Sequence, residues 1–136
     1  MSNVEQTLSI IKPDAVERNL VDDIKAIFAK NNLKILDSKK IHINKEEAAD
    51  FYKVHQSKPF YNDLCAYLSS GPIFVMILEG NGAIALNRKL MGATNPKDAE
   101  PNTIRKLYGI SIDKNSVHGS DSVENANKEI NFFFKN

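Results

Sequence analysis

The chain has 136 residues, of which 42% are hydrophobic and 26% are charged, a composition typical of one globular domain over residues 1–136. The formal net charge of +1 provides no overall field for nucleic acid or an anionic membrane, so functional cations must act locally. Cys65 is the single cysteine, which excludes an internal disulfide and a cysteine metal cluster.

The N-terminal residues do not form a signal-peptide pattern, and the longest apolar run, Ile73 to Leu78, is too short to cross a membrane. These features favour a protein of the reducing cytoplasm. They also favour a protein without a membrane or a nucleic acid as a dedicated partner.

The spacing of apolar residues predicts strands and helices in alternation. Leu36 interrupts the alternation of the second strand, and Asp121 is expected to cap the last helix, with Glu124 completing a capping box. In chain order, we expect a strand at 7–11, a helix from 20, a strand at 33–43, helices at 45–55 and 61–68, a strand at 73–78, a helix at 83–91, a loop at 92–101, helical turns at 103–108, a short strand around 117 and a final helix.

This order predicts an α+β fold of the ferredoxin-like type. Its core is expected to be an antiparallel four-stranded sheet with helices packed around it.

His118 differs from the other two histidines in its surroundings. It lies at a predicted strand end, and Gly119 follows it just before a helix N-terminus, whose free N–H groups suit an anion. His42 and His55 are more typical of solvated or structural histidines, and no histidine pair has the spacing of a zinc site. His118 is therefore the candidate reactive residue, although a capped helix beside an incidental histidine explains the same pattern.

Two further side chains could orient His118. Ser120 offers a hydroxyl group beside the imidazole, and Glu129 lies two helical turns after Ser122, on the same predicted helix face. A carboxylate next to an imidazole can fix its tautomer and stabilise a charged intermediate.

Several basic residues could bind an anion near this segment. Lys12 directly follows the first strand, Arg88 lies on a predicted helix, and Arg105 lies on a predicted helical turn. Arginine binds phosphate oxygens bidentately, and lysine acts as a point charge. Taken singly, each is more typical of a solvated surface cation. Phe60 follows a proline in a predicted loop, where a base-stacking ring and a core aromatic are equally consistent with the pattern.

A second motif points to a different class of protein. Residues 80–85 match the pattern G-x-G-x-x-A between a predicted strand and a helix, as in dinucleotide-binding folds. The loop at 92–101 follows that helix, so the second parallel strand of such a fold is missing from the pattern. The chain also lacks a G-x-x-x-x-G-K-[ST] segment, which excludes a P-loop kinase.

The segment from Asn115 to Ser122, N-S-V-H-G-S-D-S, resembles the active-site sequence of nucleoside diphosphate kinases. The resemblance covers essentially the whole chain, and its H-G-S-D-S core is specific. Further matches occur in order at 11–14 (I-K-P-D), 58–60 (K-P-F), 70–72 (S-G-P), 91–96 (M-G-A-T-N-P), 103–105 (T-I-R), 123–124 (V-E) and 128–130 (K-E-I).

The resemblance implies a ping-pong reaction, in which a nucleoside triphosphate phosphorylates His118 and a nucleoside diphosphate then removes the phosphate. Magnesium is expected to arrive on the nucleotide phosphates, with few or no protein ligands. Base specificity is expected to be low, because stacking contacts only the face of a base. By the same resemblance, the phosphates would be held by Lys12, Thr94, Arg88 and Arg105; the sugar by Asn115 and Lys12; the base by Phe60; and His118 would be supported by Tyr52, Ser120 and Glu129.

Four positions depart from the family pattern. Ala15, Asn19, Asp22 and Asn102 stand where relatives often have glycine. Asparagine tolerates positive φ better than other non-glycine residues, so Asn19 and Asn102 are expected to be mild changes.

The chain resembles the shorter, bacterial type of this family, which implies a homo-oligomer and leaves a tetramer or a hexamer open. A rival function on the same fold is a non-catalytic binding module. The presence of His118, Lys12 and Glu129 argues against that rival.

Overall fold

The structure is a computed structural model that describes residues 4–111 and 114–134, so the remaining residues of the predicted 1–136 domain lie outside the described part. The strands are β1 (Val4–Ile11), β2 (Lys34–Ile41), β3 (Ile73–Asn81) and β4 (Val117–Gly119). The α-helices are α1 (Pro13–Glu17), α2 (Val21–Lys30), α3 (Lys45–Phe51), α4 (Tyr61–Leu68), α5 (Ala83–Met91), α6 (Ile104–Tyr108) and α7 (Val123–Phe133), and short 3-10 helices cover Lys53–His55 and Pro96–Asp98.

The four strands form one antiparallel sheet in the order β2-β3-β1-β4. This arrangement confirms the predicted ferredoxin-like α+β fold. β1 pairs with β3 along its whole length and with β4 only at its end, where Ile10 lies opposite His118. The pairing therefore fixes the backbone of His118 against the most buried strand of the sheet.

Helices cover both faces of the sheet, which confirms the expected packing of helices around it. Ile11 and Leu78 pack into one apolar core, which includes residues of α2 and α5. Leu8 and Ile10 pack into a second core, which includes residues of α3, α4 and α7. Because buried residues of β1 and β3 lie on both faces, each face must be covered, and each fully buried Leu or Ile contributes roughly 1.5–3 kcal/mol.

β2 lies at the edge of the sheet and contains an irregularity where the sequence pattern breaks. Its register with β3 shifts between Ile35 and Asp37, and Leu36 is 40% exposed. A bulge at this point explains the interrupted alternation of apolar residues.

The helix boundaries differ from the sequence prediction in three places. A short helix, α1, begins with Pro13 at its first turn, and the helix predicted for 45–55 ends at Phe51 and continues as a 3-10 helix. Asp121 is not the N-cap of the last helix. The cap is Ser122, whose side chain accepts a hydrogen bond from the backbone N–H of Asn125 at 3.1 Å.

Asn19 and Asn102, expected from the sequence to be mild changes, adopt left-handed conformations. Asn19 has φ 60° and Asn102 has φ 69°. Asparagine is among the few residues that tolerate this region, so the backbone is accommodated without glycine. Ala15 and Asp22 instead lie within α1 and α2.

The segment at 80–85, which matches the pattern G-x-G-x-x-A, lies where β3 ends and α5 begins. Both neighbours of β3 run antiparallel to it, so the parallel strand pair of a dinucleotide-binding fold is absent from the described sheet. Among the described helices, none is long and apolar enough to cross a membrane.

Candidate functional site

A cleft of about 760 Å³ opens beside the end of β4. Its wall brings together every predicted site residue except Ser120, which is fully buried behind it. The predicted residues on the wall are Lys12, Tyr52, Phe60, Arg88, Thr94, Arg105, Asn115, His118 and Glu129.

The imidazole of His118 is held by a carboxylate from α7. Its Nε2 lies 2.9 Å from Oε1 of Glu129, and the same oxygen accepts a hydrogen bond from the hydroxyl of Ser120 at 2.9 Å. The Ser120 hydroxyl in turn accepts the backbone N–H of Leu8 at 3.2 Å. The spacing that placed Glu129 on the helix face of Ser122 therefore brings it to His118.

Gly119 allows α5 to approach the strand that carries His118. A Cβ atom at this position would lie 2.3 Å from Nδ2 of Asn87 and 2.8 Å from Cε of Met91. Glycine is therefore required here because α5 packs against the backbone of Gly119. The reason expected from the sequence was different, namely that glycine leaves room beside the imidazole.

Lys12 and Asn115 meet at the floor of the cleft although they are far apart in sequence. Nζ of Lys12 donates a hydrogen bond to Oδ1 of Asn115 at 3.0 Å, and Nδ2 of Asn115 donates to the carbonyl of Thr94 at 3.1 Å. Lys12 is 5% exposed and Asn115 is 2% exposed. The ammonium and amide groups are therefore fixed before any ligand binds.

A buried network supports this floor from behind. Ser116 is fully buried with φ 76°, and its hydroxyl donates to Oδ2 of Asp14 at 2.7 Å. Asp14 also pairs with Arg18 at 3.0 Å and accepts a hydrogen bond from Tyr67. A left-handed serine is costly, so these contacts stabilise the turn that presents Asn115.

Arg105 is held by two backbone carbonyls rather than by a carboxylate. It donates to the carbonyl of Gly92 at 3.0 Å and to that of Val117 at 2.9 Å. Burial, and secondarily the nearby charge of Arg88, lower the pKa of Arg105 to about 10, so it remains charged at neutral pH. A buried cation with neutral partners is well suited to an anionic ligand.

The rim of the cleft is more exposed than its floor. Phe60 is 43% exposed, and Arg88 and Thr94 are also exposed. This exposure excludes a core position for Phe60. Tyr52 lies deeper, and burial raises the pKa of its hydroxyl.

The cleft also contains residues that sequence reasoning assigned elsewhere or did not consider. His55, interpreted as structural or solvated, lies on the wall, with its ring 6.2 Å from that of Phe60. Phe51 contacts the ring of His118 edge-on, and the ring of Phe132 lies beside that of Phe51. The shared helix face of Phe51, Tyr52 and His55 is visible in the sequence, but its spacing indicates only a buried face.

Carboxylates on the cleft wall do not form a metal-binding cage. Within the described residues, no group of three or more His, Cys, Asp or Glu side chains could hold a metal ion. Asp121 lies on the wall, and a hydrogen bond from Asn125 lowers the pKa of its carboxyl group. This donor set fits a divalent cation held mainly by the phosphates of a ligand.

The fold and the cleft define a class of protein: an α+β protein with a histidine–carboxylate pair in a cleft lined by basic side chains. The family model described as nucleoside diphosphate kinase matches residues 5–136. The chain therefore belongs to the nucleoside diphosphate kinase family, as the resemblance of its motifs implied.

Similar proteins support this assignment over nearly the full chain. The nucleoside diphosphate kinase of a Nitratiruptor species is 57% identical over 96% of both chains. That of Nitrosococcus oceani is 53% identical and covers 97% of this chain and 92% of its own. The crystal structure of the Aquifex aeolicus nucleoside diphosphate kinase is 39% identical, with a TM-score of 0.95 over 97% of this chain and 96% of that one.

Proposed function

We propose that this chain transfers the terminal phosphate of a nucleoside triphosphate to a nucleoside diphosphate through a phosphohistidine at His118, with low base specificity. The observation that carries the proposal is the 2.9 Å contact between Nε2 of His118 and Oε1 of Glu129, inside a cleft lined by basic side chains. Covalent catalysis of this kind divides one transfer into two similar steps.

The reactive atom in this proposal is Nδ1 of His118. A carboxylate can only accept a hydrogen bond, so Glu129 favours the tautomer with its proton on Nε2. Nδ1 then keeps its lone pair and attacks the terminal phosphorus, while the bond from that phosphorus to the bridging oxygen breaks. The developing imidazolium is stabilised by the negative charge of Glu129.

The cations would neutralise the phosphate oxygens during transfer. Lys12 and Arg105 are fixed at the floor, and Arg88 and Thr94 lie at the rim, so a phosphate chain would run from His118 toward the opening. Positioning and charge neutralisation are the main contributions that a protein makes to phosphoryl transfer.

Phe60 would stack on the base, and Asn115 and Lys12 would also contact the sugar hydroxyls. The exposed ring of Phe60 supports this role, because an exposed aromatic face is available to a base. Stacking does not distinguish base edges, which is the physical reason for expecting low specificity.

Magnesium, when bound, would neutralise charge on the phosphates. The phosphates would provide most of its ligands, and Asp121 is one wall carboxylate available to its water shell. The side chains of the cleft would orient the nucleotide, and Glu129 would orient the imidazole.

Two further parts of the proposal concern the assembly and the location of the whole molecule. We expect one domain over residues 1–136 that assembles into a homo-oligomer, either a tetramer or a hexamer built from dimers, and light scattering would measure its mass. A cytoplasmic location also remains a prediction, consistent with the single, buried Cys65.

Labelling with radioactive nucleotide tests the mechanism directly. The protein is incubated with γ-labelled ATP and magnesium, and the acid-labile phosphoenzyme is then challenged with a nucleoside diphosphate. The wild-type chain should be labelled and discharged, and the His118→Ala variant should not be labelled. An unlabelled wild type would favour a non-catalytic binding module, and equal labelling of His118→Ala would place the phosphate on another residue.

A further inference from the structure

Phe51, the last residue of α3, makes an aromatic contact with the reactive histidine. The ring centroids of Phe51 and His118 lie 5.3 Å apart, and the ring planes meet at 77°, which is an edge-to-face arrangement. Such contacts depend on geometry and do not require charge, so they persist when the imidazole changes its protonation state.

Phe51 is itself fixed by three further rings. Its centroid lies 5.1 Å from that of Tyr52, 5.2 Å from Phe133 and 5.7 Å from Phe132. These residues come from the end of α3 and from α7, the helix that also carries Glu129. The contact with His118 is therefore part of the packing between these two helices.

The hydrogen bond to Glu129 alone does not fix the plane of the imidazole. A single contact at Nε2 restrains one ring atom, but small changes in χ1 and χ2 still alter the tilt of the ring while Nε2 stays near Oε1. In-line transfer requires the lone pair of Nδ1 to point at phosphorus, so the tilt must be restricted. The ring of Phe51 supplies a second point of contact.

We infer that Phe51 is a positioning residue for His118 and that, together with Phe132, it limits the access of water to the phosphorylated ring. This inference rests on the proposed phosphohistidine. Water destroys that intermediate when its oxygen attacks phosphorus, the bond from phosphorus to Nδ1 breaks, and inorganic phosphate leaves. Phe51 and Phe132 both line the cleft beside His118, where they replace water with apolar surface.

The test compares four variants with the wild-type chain. Phe51→Ala removes the ring, Phe51→Leu keeps apolar volume without a flat ring, and Phe51→Tyr keeps the ring. Phe74→Ala is the matched control, because Phe74 is equally half-buried but packs in the other core, beside Lys25. For each variant, the labelling rate at saturating ATP, the KM for ATP and the decay of the isolated phosphoenzyme without acceptor are measured.

The loss of one aromatic contact at the nucleophile should slow labelling of Phe51→Ala roughly tenfold at unchanged KM. Its phosphoenzyme should also decay several-fold faster than that of the wild type. Phe51→Tyr should restore both rates, Phe51→Leu should stay slow, and Phe74→Ala should behave as the wild type.

Wild-type rates in Phe51→Leu would overturn the inference, even if Phe51→Ala does not fold. An equal loss in Phe74→Ala would also overturn it, because the effect would then reflect general stability. Failure of the wild type to label at all would refute the proposed function itself, and this outcome is distinct from a failure of the Phe51 variants.

Discussion

The floor and the rim of the cleft differ in how their side chains are held. At the floor, Lys12, Asn115 and Arg105 are at most 9% exposed and are tied by hydrogen bonds to groups distant in sequence. At the rim, Phe60 and Arg88 are exposed. Buried groups held by hydrogen bonds are arranged before a ligand arrives, whereas exposed groups gain order only on binding. The floor should therefore determine the rate of the chemical step, and the rim should determine affinity.

The largest effect should come from Glu129, which is held by hydrogen bonds with His118 and Ser120. Glu129→Gln removes the negative charge beside the imidazole but keeps an acceptor for Nε2, so we expect the labelling rate at saturating ATP to fall at least about 100-fold. Rapid-quench labelling measures this rate. Glu124→Gln is the control, because Glu124 lies on the exposed face of α7, 3.4 Å from Lys128. An unchanged rate for Glu129→Gln would end the assignment of charge stabilisation to Glu129.

The next effect should come from the rim. Phe60→Ala should weaken nucleotide binding by roughly 1–3 kcal/mol, because the base loses its stacking partner. Titration calorimetry with a nucleoside diphosphate measures the affinity, and Phe60→Trp should retain it. The labelling rate at saturating ATP should stay close to that of the wild type. A loss of rate without a loss of affinity would contradict the division between floor and rim.

Alkaline pH should weaken the folded state through two buried hydroxyls. Burial raises the pKa of Tyr52, and burial together with the Asp14 contact raises that of Tyr67. Above about pH 10, the unfolded chain releases these protons and the folded chain keeps them, so the free energy of unfolding falls as pH rises. Arg105 acts in the opposite direction, because its pKa is lowered in the folded state.

Urea unfolding, followed by circular dichroism since the chain has no tryptophan, measures this dependence. Two tyrosines outweigh one arginine, so the wild-type midpoint should fall between about pH 9 and about pH 11. The double variant Tyr52→Phe with Tyr67→Phe should show a smaller fall. Equal slopes for the two proteins would show that these hydroxyls do not cause the dependence.

The smallest effect concerns the loop between α5 and α6. Asn102→Gly should change the free energy of unfolding by less than about 1 kcal/mol, because both residues accept the observed φ of 69°. Asn102→Ala should cost about 1–2 kcal/mol, because alanine is strained in this conformation. Urea midpoints for both variants test the prediction. A loss of less than about 1 kcal/mol in the free energy of unfolding of Asn102→Ala would mean that the loop relaxes into another conformation.

Local patterns were sufficient to predict the sheet and most helices. The alternation around Leu36, the run from Ile73 to Leu78 and the helix that carries Glu129 are all features of neighbouring residues. Periodicity alone does not show which helices pack on which face of the sheet, so that division required the structure. The cap was misplaced by one residue, since Asp121 and Ser122 are both good N-cap residues and backbone geometry selects between them.

The site residues were named mainly from family resemblance, and their arrangement depends on tertiary contacts. Spacing indicated that Glu129 could reach the His118 segment, but nothing in the sequence pairs Lys12 with Asn115. The contact between Phe51 and His118 was also invisible, because it joins α3 to β4 through space. Chemistry that depends on such long-range pairs cannot be derived from local periodicity.

The pairing of Lys12 with Asn115 also has a consequence for biosynthesis. The two residues are separated by 103 positions, and Leu8 and Ser120 by 112. At a translation rate of roughly 5–20 residues per second, the first strand waits on the order of 5–20 seconds before its partners at the site are made. The proposed site at His118 would therefore not form on a nascent chain until synthesis has passed Glu129. Phosphate transfer by a nascent chain would then occur only after that point.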